Sequence, residues 1–353
     1  TKFHIYSPDY IEDPIEFTGS FDLSGKNDGK YQMEILGIDG DLSEQLHILS
    51  INIDNTEPDV WINVGNPSHV DGLTYVNRDT HFTLDADDIG SGVKSIEYSL
   101  NGEDWTLYNG QFVLPSQVDG AHTLYARAID NLENIGYDEQ AVVLDNTTPE
   151  TWIEIGDPKK VSDSIYLTST SMLTINADDQ ASGLDAVYYK VYSEVEPDTW
   201  VLYNEAFSLP PDDGEYTIAY HAIDNLGNSD EDILMVTNDN TGPLSQIVSP
   251  PNGIALQDIV EVRIDAVDQS GVESVEISIR GVDDPDSSIG FDNLETEFDS
   301  VEWVLEFNTL QLLDGEYLVI VSSSDGLGNT ASIQLQYSVR NWALIELLPA
   351  TPN

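Results

Sequence analysis

Residues 119–134 read DGAHTLYARAIDNLEN, residues 213–228 read DGEYTIAYHAIDNLGN and residues 314–329 read DGEYLVIVSSSDGLGN. Each stretch opens on Asp-Gly, alternates side-chain character for about ten residues, and closes on a turn of the type Asp-x-Leu-x-Asn. Alternation with period two sends successive side chains to opposite faces of a strand, while Asp, Gly and Asn at the ends supply turn conformations. One face holds His122, Leu124, Ala126 and Ala128 in the first stretch, Tyr216, Ile218, Tyr220 and Ala222 in the second, and Tyr317, Val319, Val321 and Ser323 in the third. A further copy begins at Asp28 and gives Tyr31, Met33, Ile35 and Gly37, with a degenerate closing turn from Asp39. These four sets predict one recurring core face.

Upstream of these stretches the same organisation repeats. A strand entered from a Ser-Gly pair carries Ile96, Tyr98 and Leu100, then Val187, Tyr189 and Val191, then Val275, Ile277 and Ile279, and a tryptophan follows at Trp105, Trp200 and Trp303. The tripeptide Asp-Asn-Thr stands at 54–56, 145–147 and 239–241, spaced by 91 and 94 residues and followed by Pro58, Pro149 and Pro243. No stretch longer than about ten residues shows a 3.6-residue apolar period, so negligible helix is expected. Short alternating strands in a unit of about 90–100 residues predict an all-β chain of tandem immunoglobulin-like β-sandwich domains in a linear array. The Asp-Gly-x-Tyr element stands where a tyrosine corner would, its phenol within reach of backbone upstream.

With Asp54–Thr56, Ser91-Gly92-Val93, Ile96 to Gly102, Trp105 and Asp119 to Asp130 in view, the chain resembles the tandem Ig-like repeats of archaeal and bacterial cell-surface proteins. The match is close over residues 54–240, and the last copy departs through an acidic insertion around Asp283 to Asp299. The resemblance implies fold more than function, because such repeats serve as stalks, lattice units and enzyme appendages alike. The expected domains are residues 1–53 as the C-terminal half of an Ig-like unit, 54–145, 146–239 and 240–340 as complete units, and 341–353 as a linker or donor-strand tail. Excision from a longer chain is the simpler account of the two ends. The sharper one is that the apolar tail completes the N-terminal half-unit of a neighbour by strand addition.

Composition narrows the function. The 353 residues include 65 Asp plus Glu against 12 Lys plus Arg, a formal charge of −53, and no cysteine. Such a surface repels polyphosphate backbones and anionic membranes, so neither nucleic acid nor direct membrane insertion is expected. Hydrophobic residues make up 40% of the chain, enough to build cores despite the charge. Missing cysteine removes disulfides, thiolate chemistry and Cys-ligated metals. No Gly-x-Ser-x-Gly elbow, His-Glu-x-x-His helix, phosphate-binding glycine loop or dinucleotide fingerprint occurs, and the six histidines are scattered, so no enzyme is expected.

Calcium is the expected cofactor, because it takes six to eight oxygens from carboxylates, amides, carbonyls and water and needs no particular secondary structure. At one pole of an Ig-like sandwich the incoming linker meets the first and last inter-strand loops. That convergence nominates Asp54, Asn55, Asp85, Asp87, Asp88, Asp130 and Asn131 with Asn134; then Asp145, Asn146, Asp178, Asp179, Asp224 and Asn225 with Asn228; then Asp239, Asn240, Asp265, Asp268 and Asp325 with Asn329. Asp and Asn also favour turns for purely local reasons, and for any one loop that explanation is sufficient. Three acidic segments meeting at each linker tip the balance toward a cation, which would stiffen the hinge.

The acidity is spread evenly, with 16 acids to 3 bases in residues 56–145, 19 to 3 in 146–239 and 18 to 3 in 240–340. Adaptation to high salt or a cation-concentrating coat both fit this distribution. Trp61 and Trp152 follow the linkers at equivalent places and raise a second function class, stacking on glycan, although their apolar neighbours favour packing roles. A single sequon stands at Asn146-Thr147-Thr148. The resulting expectation is a segment of an extracellular structural protein (surface layer, filament or adhesin stalk), with copies of itself or neighbouring surface domains as partners. The alternative is a non-catalytic, carbohydrate-binding accessory region of a secreted polysaccharide-degrading enzyme.

Overall fold

The computed structural model describes residues 2–7, 10–11, 15–16, 20, 22–38, 44–114, 118–283, 288–291 and 302–341. The degenerate turn from Asp39, most of the acidic insertion and the tail beyond Asn341 lie outside these residues. Among the described residues there is no α-helix, only a 3-10 turn at Thr309–Gln311. The chain is all-β and built from Ig-like sandwiches.

In the sandwich that follows the first Asp-Asn-Thr, Asp59–Val64 pairs with Phe82–Asp87 in one sheet. The other sheet runs Thr106–Leu107, Val93–Ser99, Gly120–Asp130, Ile135–Leu144, Leu73–Val76, Ser68–Asp71. Between the sheets lie Val76, Phe82, Leu114, Leu124, Val142 and Leu144. The next sandwich repeats this order with Glu150–Ile155 and Leu173–Asp178 facing a six-stranded sheet around Gly214–Asp224. Its core gathers Leu167, Leu173, Ile175, Leu209, Tyr216 and Ile218. The last pairs Leu244–Ser249, Ile259–Val267 and Glu302–Asn308 against a five-stranded sheet containing Val272–Gly281, Gly315–Asp325 and Thr330–Val339. At the N-terminal end, Lys2–Ser7, Gly29–Ile38 and Glu44–Ile53 form a single antiparallel sheet whose small core centres on Tyr31 and Met33.

By internal contacts the chain separates into two compact units. One comprises Thr1–Pro149 with the loops Asp178–Asp185 and Ile223–Ser229; the other comprises Glu150–Ala177, Ala186–Ala222 and Asp230–Asn353.

The alternating faces behave as the pattern requires. Leu124, Ala126, Ala128, Ile218, Ala222, Val319 and Val321 are almost wholly buried, because period-two burial leaves one row of side chains for the core. The tyrosine-corner bond also forms: Tyr31 Oη donates to the Asn27 carbonyl at 2.9 Å and Tyr216 Oη to that of Asp212 at 3.3 Å. His122, standing in the tyrosine place, puts Nε2 2.6 Å from the Val118 carbonyl.

Two positions differ from the sequence expectation. Leu100 is exposed, because the strand ends at Ser99, whose hydroxyl turns the chain by accepting from the N–H groups of Asn101 and Gly102. Trp303 does not match Trp105 and Trp200. Those two precede the outer edge strands Thr106–Leu107 and Val201–Leu202, whereas Trp303 lies inside Glu302–Asn308 on the opposite sheet and is buried.

Candidate metal centres at the linkers

Each Asp-Asn-Thr linker is held from both sides by hydrogen bonds that its sequence dictates. The Asn faces backwards in all three linkers and the Thr in the first and third, whereas the Thr147 hydroxyl donates to Asp145 Oδ1 of its own linker at 2.7 Å. Asn55 N and Nδ2 donate to Asp28 Oδ1 at 2.7 and 2.8 Å, and the Thr56 hydroxyl donates to Asp28 Oδ2. Asn240 N donates to Asp213 Oδ1 at 2.7 Å and the Thr241 hydroxyl to Asp213 Oδ2 at 2.9 Å. Asn146 Nδ2 reaches Asp119 Oδ1 at 2.6 Å while its Oδ1 accepts from Arg78. These bonds hold Asp28 below the ordinary carboxylate range, the Thr56 hydroxyl contributing most. At Asp213 partial burial pushes the other way, but the bonds from Asn240 and Thr241 outweigh it and hold its pKa down.

The leading Asp faces forward, into the next sandwich. There Asp130 closes the last turn, its Oδ1 accepting from the N–H groups of Leu132 and Asn134 at 2.8 Å and its Oδ2 from Asn134 Nδ2 at 2.7 Å. The same Asn134 Nδ2 donates to the carbonyl of the linker's Asp54 at 3.3 Å. Asp224 with Asn228, and Asp325 with Asn329, repeat this clasp on the carbonyls of Asp145 and Asp239. Asn131 and Asn225 bind the two loops of their own sandwich together, donating to Ser91 and Gly92 carbonyls and to Ser182 and Gly183 carbonyls.

Three carboxylate triads result: Asp54, Asp88 and Asp130; Asp145, Asp179 and Asp224; Asp239, Asp268 and Asp325. In each, one oxygen per residue lies within 4.8 Å of the others. The linker and last-loop carboxylates of every triad are buried, and the first-loop carboxylate is half-buried. Of the sequence-nominated residues, these nine come together. Asn55, Asn146, Asn240, Asn131 and Asn225 are engaged in the bonds above. Asp85 accepts from Asn63 Nδ2 at 3.0 Å and Asp178 from Gln180 Nε2 at 3.3 Å, both beside a triad rather than in it. Asp87 lines a cavity of about 570 Å³ with Asp28, Asp54, Asp59, Asp88 and Lys30. Asp265 lies in strand register between Gln246 and Glu302.

Charge crowding shows in the acidities. Burial raises the Asp179 carboxyl, and the charges of Asp145 and Asp224 add to it against the Gly183 N–H. Burial raises Asp239 too, and with the charges of Asp268 and Asp325 it outweighs the lowering influence of the nearby Ser270 hydroxyl and the Thr241 N–H. Asp145 is buried but its hydrogen bonds, led by the Thr147 hydroxyl, outweigh that and hold it low. Asp130 is likewise held low against burial by the donors of Asn134 and Leu132.

The donor sets fit a hard cation: every side-chain ligand is a carboxylate oxygen, and no sulfur exists in the chain's side chains beyond three methionines. Two buried polar atoms at the triads have no hydrogen-bond partner, Ser182 Oγ and Asp239 Oδ2. Sequence reading missed the serines of the Ser-Gly pairs and the leading Asp of Asp-Gly-x-Tyr. A signal for the latter existed: Asp28 to Asn55, Asp119 to Asn146, Asp213 to Asn240 and Asp314 to Asn341 are all bonded pairs separated by 27 residues.

No family model matches the sequence, and no curated protein matches it. Solved structures do align. A tetra-tandem repeat from the extending region of a large adhesion protein covers 96% of this chain and 91% of its own, at 16% identity and TM-score 0.44. A structure concerned with host cell surface retention of a 1.5-MDa bacterial ice-binding adhesin covers 81% and 100%, at 15% identity and TM-score 0.35. The endo-β-1,4-mannanase from Thermotoga petrophila covers 30% of this chain at 21% identity and TM-score 0.25, and the match spans only 21% of that enzyme. Among the described residues no helix is long and apolar enough to cross a membrane.

Proposed function

We propose that this chain is a spacer region of an extracellular structural protein, a surface layer, filament or adhesin stalk, whose linkers are stiffened by calcium. It works by presenting and spacing neighbouring domains, without catalysis, and its partners are copies of itself or adjoining surface domains. The observation that supports this reading is the recurrence of one triad per Asp-Asn-Thr linker, each tying the linker carboxylate to two loops of the sandwich that follows. A cation bound by all three segments removes their mutual repulsion and couples linker to sandwich. Binding only to the folded form then stabilises it by about 2.7 kcal/mol when calcium is a hundredfold above its dissociation constant.

Thermal unfolding with millimolar calcium and with excess chelator tests this. A raised midpoint in calcium is expected, diminished by Asp88→Ala and Asp179→Ala together; superimposable curves would sink the calcium reading.

The glycan-binding alternative draws on Trp61 and Trp152, each 42% exposed on the strand after its linker. Retention on insoluble polysaccharide that disappears with Trp61→Ala or Trp152→Ala would favour that reading over the spacer.

A further inference from the structure

The three triads are built to one plan but satisfied to different degrees. In the first, Asp54 Oδ2 accepts the Ser91 N–H at 2.6 Å. In the second, Asp145 Oδ2 accepts the Ser182 N–H at 3.0 Å, and the Thr147 hydroxyl serves Oδ1 at 2.7 Å. The third loop is one residue shorter, reading Asp268-Gln269-Ser270-Gly271 where the second reads Asp179-Gln180-Ala181-Ser182-Gly183. Its serine serves a different partner: both the N–H and the hydroxyl of Ser270 go to Asp268 Oδ1, at 2.8 and 2.7 Å, the side chain remaining near Asp239. Asp239 Oδ2 is left with no donor on a side chain only 2% exposed, beside a fully buried Asp325. Lys160 reaches the same loop, but its ammonium donates to the Ser270 carbonyl rather than to Asp239.

A buried carboxylate oxygen without a partner is strongly unfavourable unless a cation supplies the missing interaction. At the other two triads the backbone already supplies it. At the triads the other orphaned atom among the described residues, Ser182 Oγ, is a neutral hydroxyl and a weaker ligand for a hard cation than a carboxylate.

Resting on the calcium reading above, we propose that the triads are unequal and that Asp239, Asp268 and Asp325 form the principal divalent-cation site, which fills before the other two. The backbone N–H groups at Asp54 and Asp145 do part of the cation's work and compete with it for the same oxygen.

Calcium titration calorimetry on the chelator-stripped chain tests this, with Asp239→Asn, Asp268→Asn and Asp145→Asn beside the unaltered chain. One site is expected to fill at least about tenfold more tightly than the rest, since a hydrogen bond to a charged group weighs about that much. Asp239→Asn and Asp268→Asn should lose that first step and keep the weaker ones, while Asp145→Asn should keep it. In chelator, Asp239→Asn should melt higher than the unaltered chain, because an unpaired charge is removed, and Asp145→Asn should melt lower, because a bonded acceptor is weakened. Survival of the tight step in Asp239→Asn, its loss in Asp145→Asn, or a lowered chelator midpoint for Asp239→Asn overturns the proposal. Three equal sites refute the ranking alone, whereas no calcium binding by the unaltered chain refutes the function on which it rests.

Discussion

Gly136 has no room for a side chain. A Cβ built there would lie 1.8 Å from the Pro58 carbonyl oxygen, because the linker crosses the start of strand Ile135–Leu144 at backbone contact. Gly136→Ala is therefore expected to destabilise its sandwich by about 1–3 kcal/mol, read by chemical denaturation, whereas Gly110→Ala, at an open loop position, is limited to backbone strain from its φ of +140°. The latch carboxylates make a second residue-scale prediction. Asp28 and Asp213 have folded pKa values held below the unfolded value of about 3.9, so their contribution is full above that value and is lost as pH falls through the lower folded one. Linker rigidity, followed by spin-label mobility at position 57 and at the exposed position 244, should thus persist through mild acid and fail only below the ordinary carboxylate range. Loosening already near pH 6 would refute that role for the two carboxylates.

At the scale of the element, the strand between Asp-Gly-x-Tyr and Asp-x-Leu-x-Asn does three jobs. Its inward row fills the core, its first aromatic pins the turn before it, and its closing Asp clasps the turn after it and, through Asn, the linker. Asp224 is 1% exposed and accepts three bonds, so Asp224→Ala strands donors at buried Leu226 and half-buried Asn228. A loss of roughly 2–4 kcal/mol is expected in urea unfolding, against about 1 kcal/mol for Tyr216→Phe, which removes one hydrogen bond and keeps the ring. Similar effects for both would mean that the clasp is no stronger than an ordinary turn. These strands were legible in the sequence because burial on one face writes itself as alternation. Trp303 was not: distance along the chain after a strand says nothing about which sheet the chain has crossed to, and the path from Val275 to Trp303, with its acidic insertion, is longer than those from Ile96 to Trp105 and from Val187 to Trp200.

For the whole molecule, a charge of −53 means that each sandwich folds against its own repulsion. Raising sodium chloride from 0.1 to 1 M shortens the screening length from about 10 to 3 Å, so the unfolding midpoint should rise with salt in the absence of calcium. Millimolar calcium adds almost nothing to ionic strength, and a further rise at constant high salt would report bound ions rather than screening. Absence of that increment would leave the acidity as a salt adaptation only. Alternation and turn chemistry are local, so the all-β class, the period, the core faces, the tyrosine corners at Tyr31 and Tyr216 and the segments that carry the carboxylates could be read from residue order alone. Folding in three dimensions settles which carboxylates meet, that Asn55, Asn146 and Asn240 grip the preceding turn rather than a triad, and that Asp239 alone among the linker carboxylates keeps a buried oxygen unpartnered. Those outcomes depend on sub-ångström placement of backbone donors such as the Ser91, Ser182 and Ser270 N–H groups, which one residue's difference in loop length redirects and no pattern of residue types records.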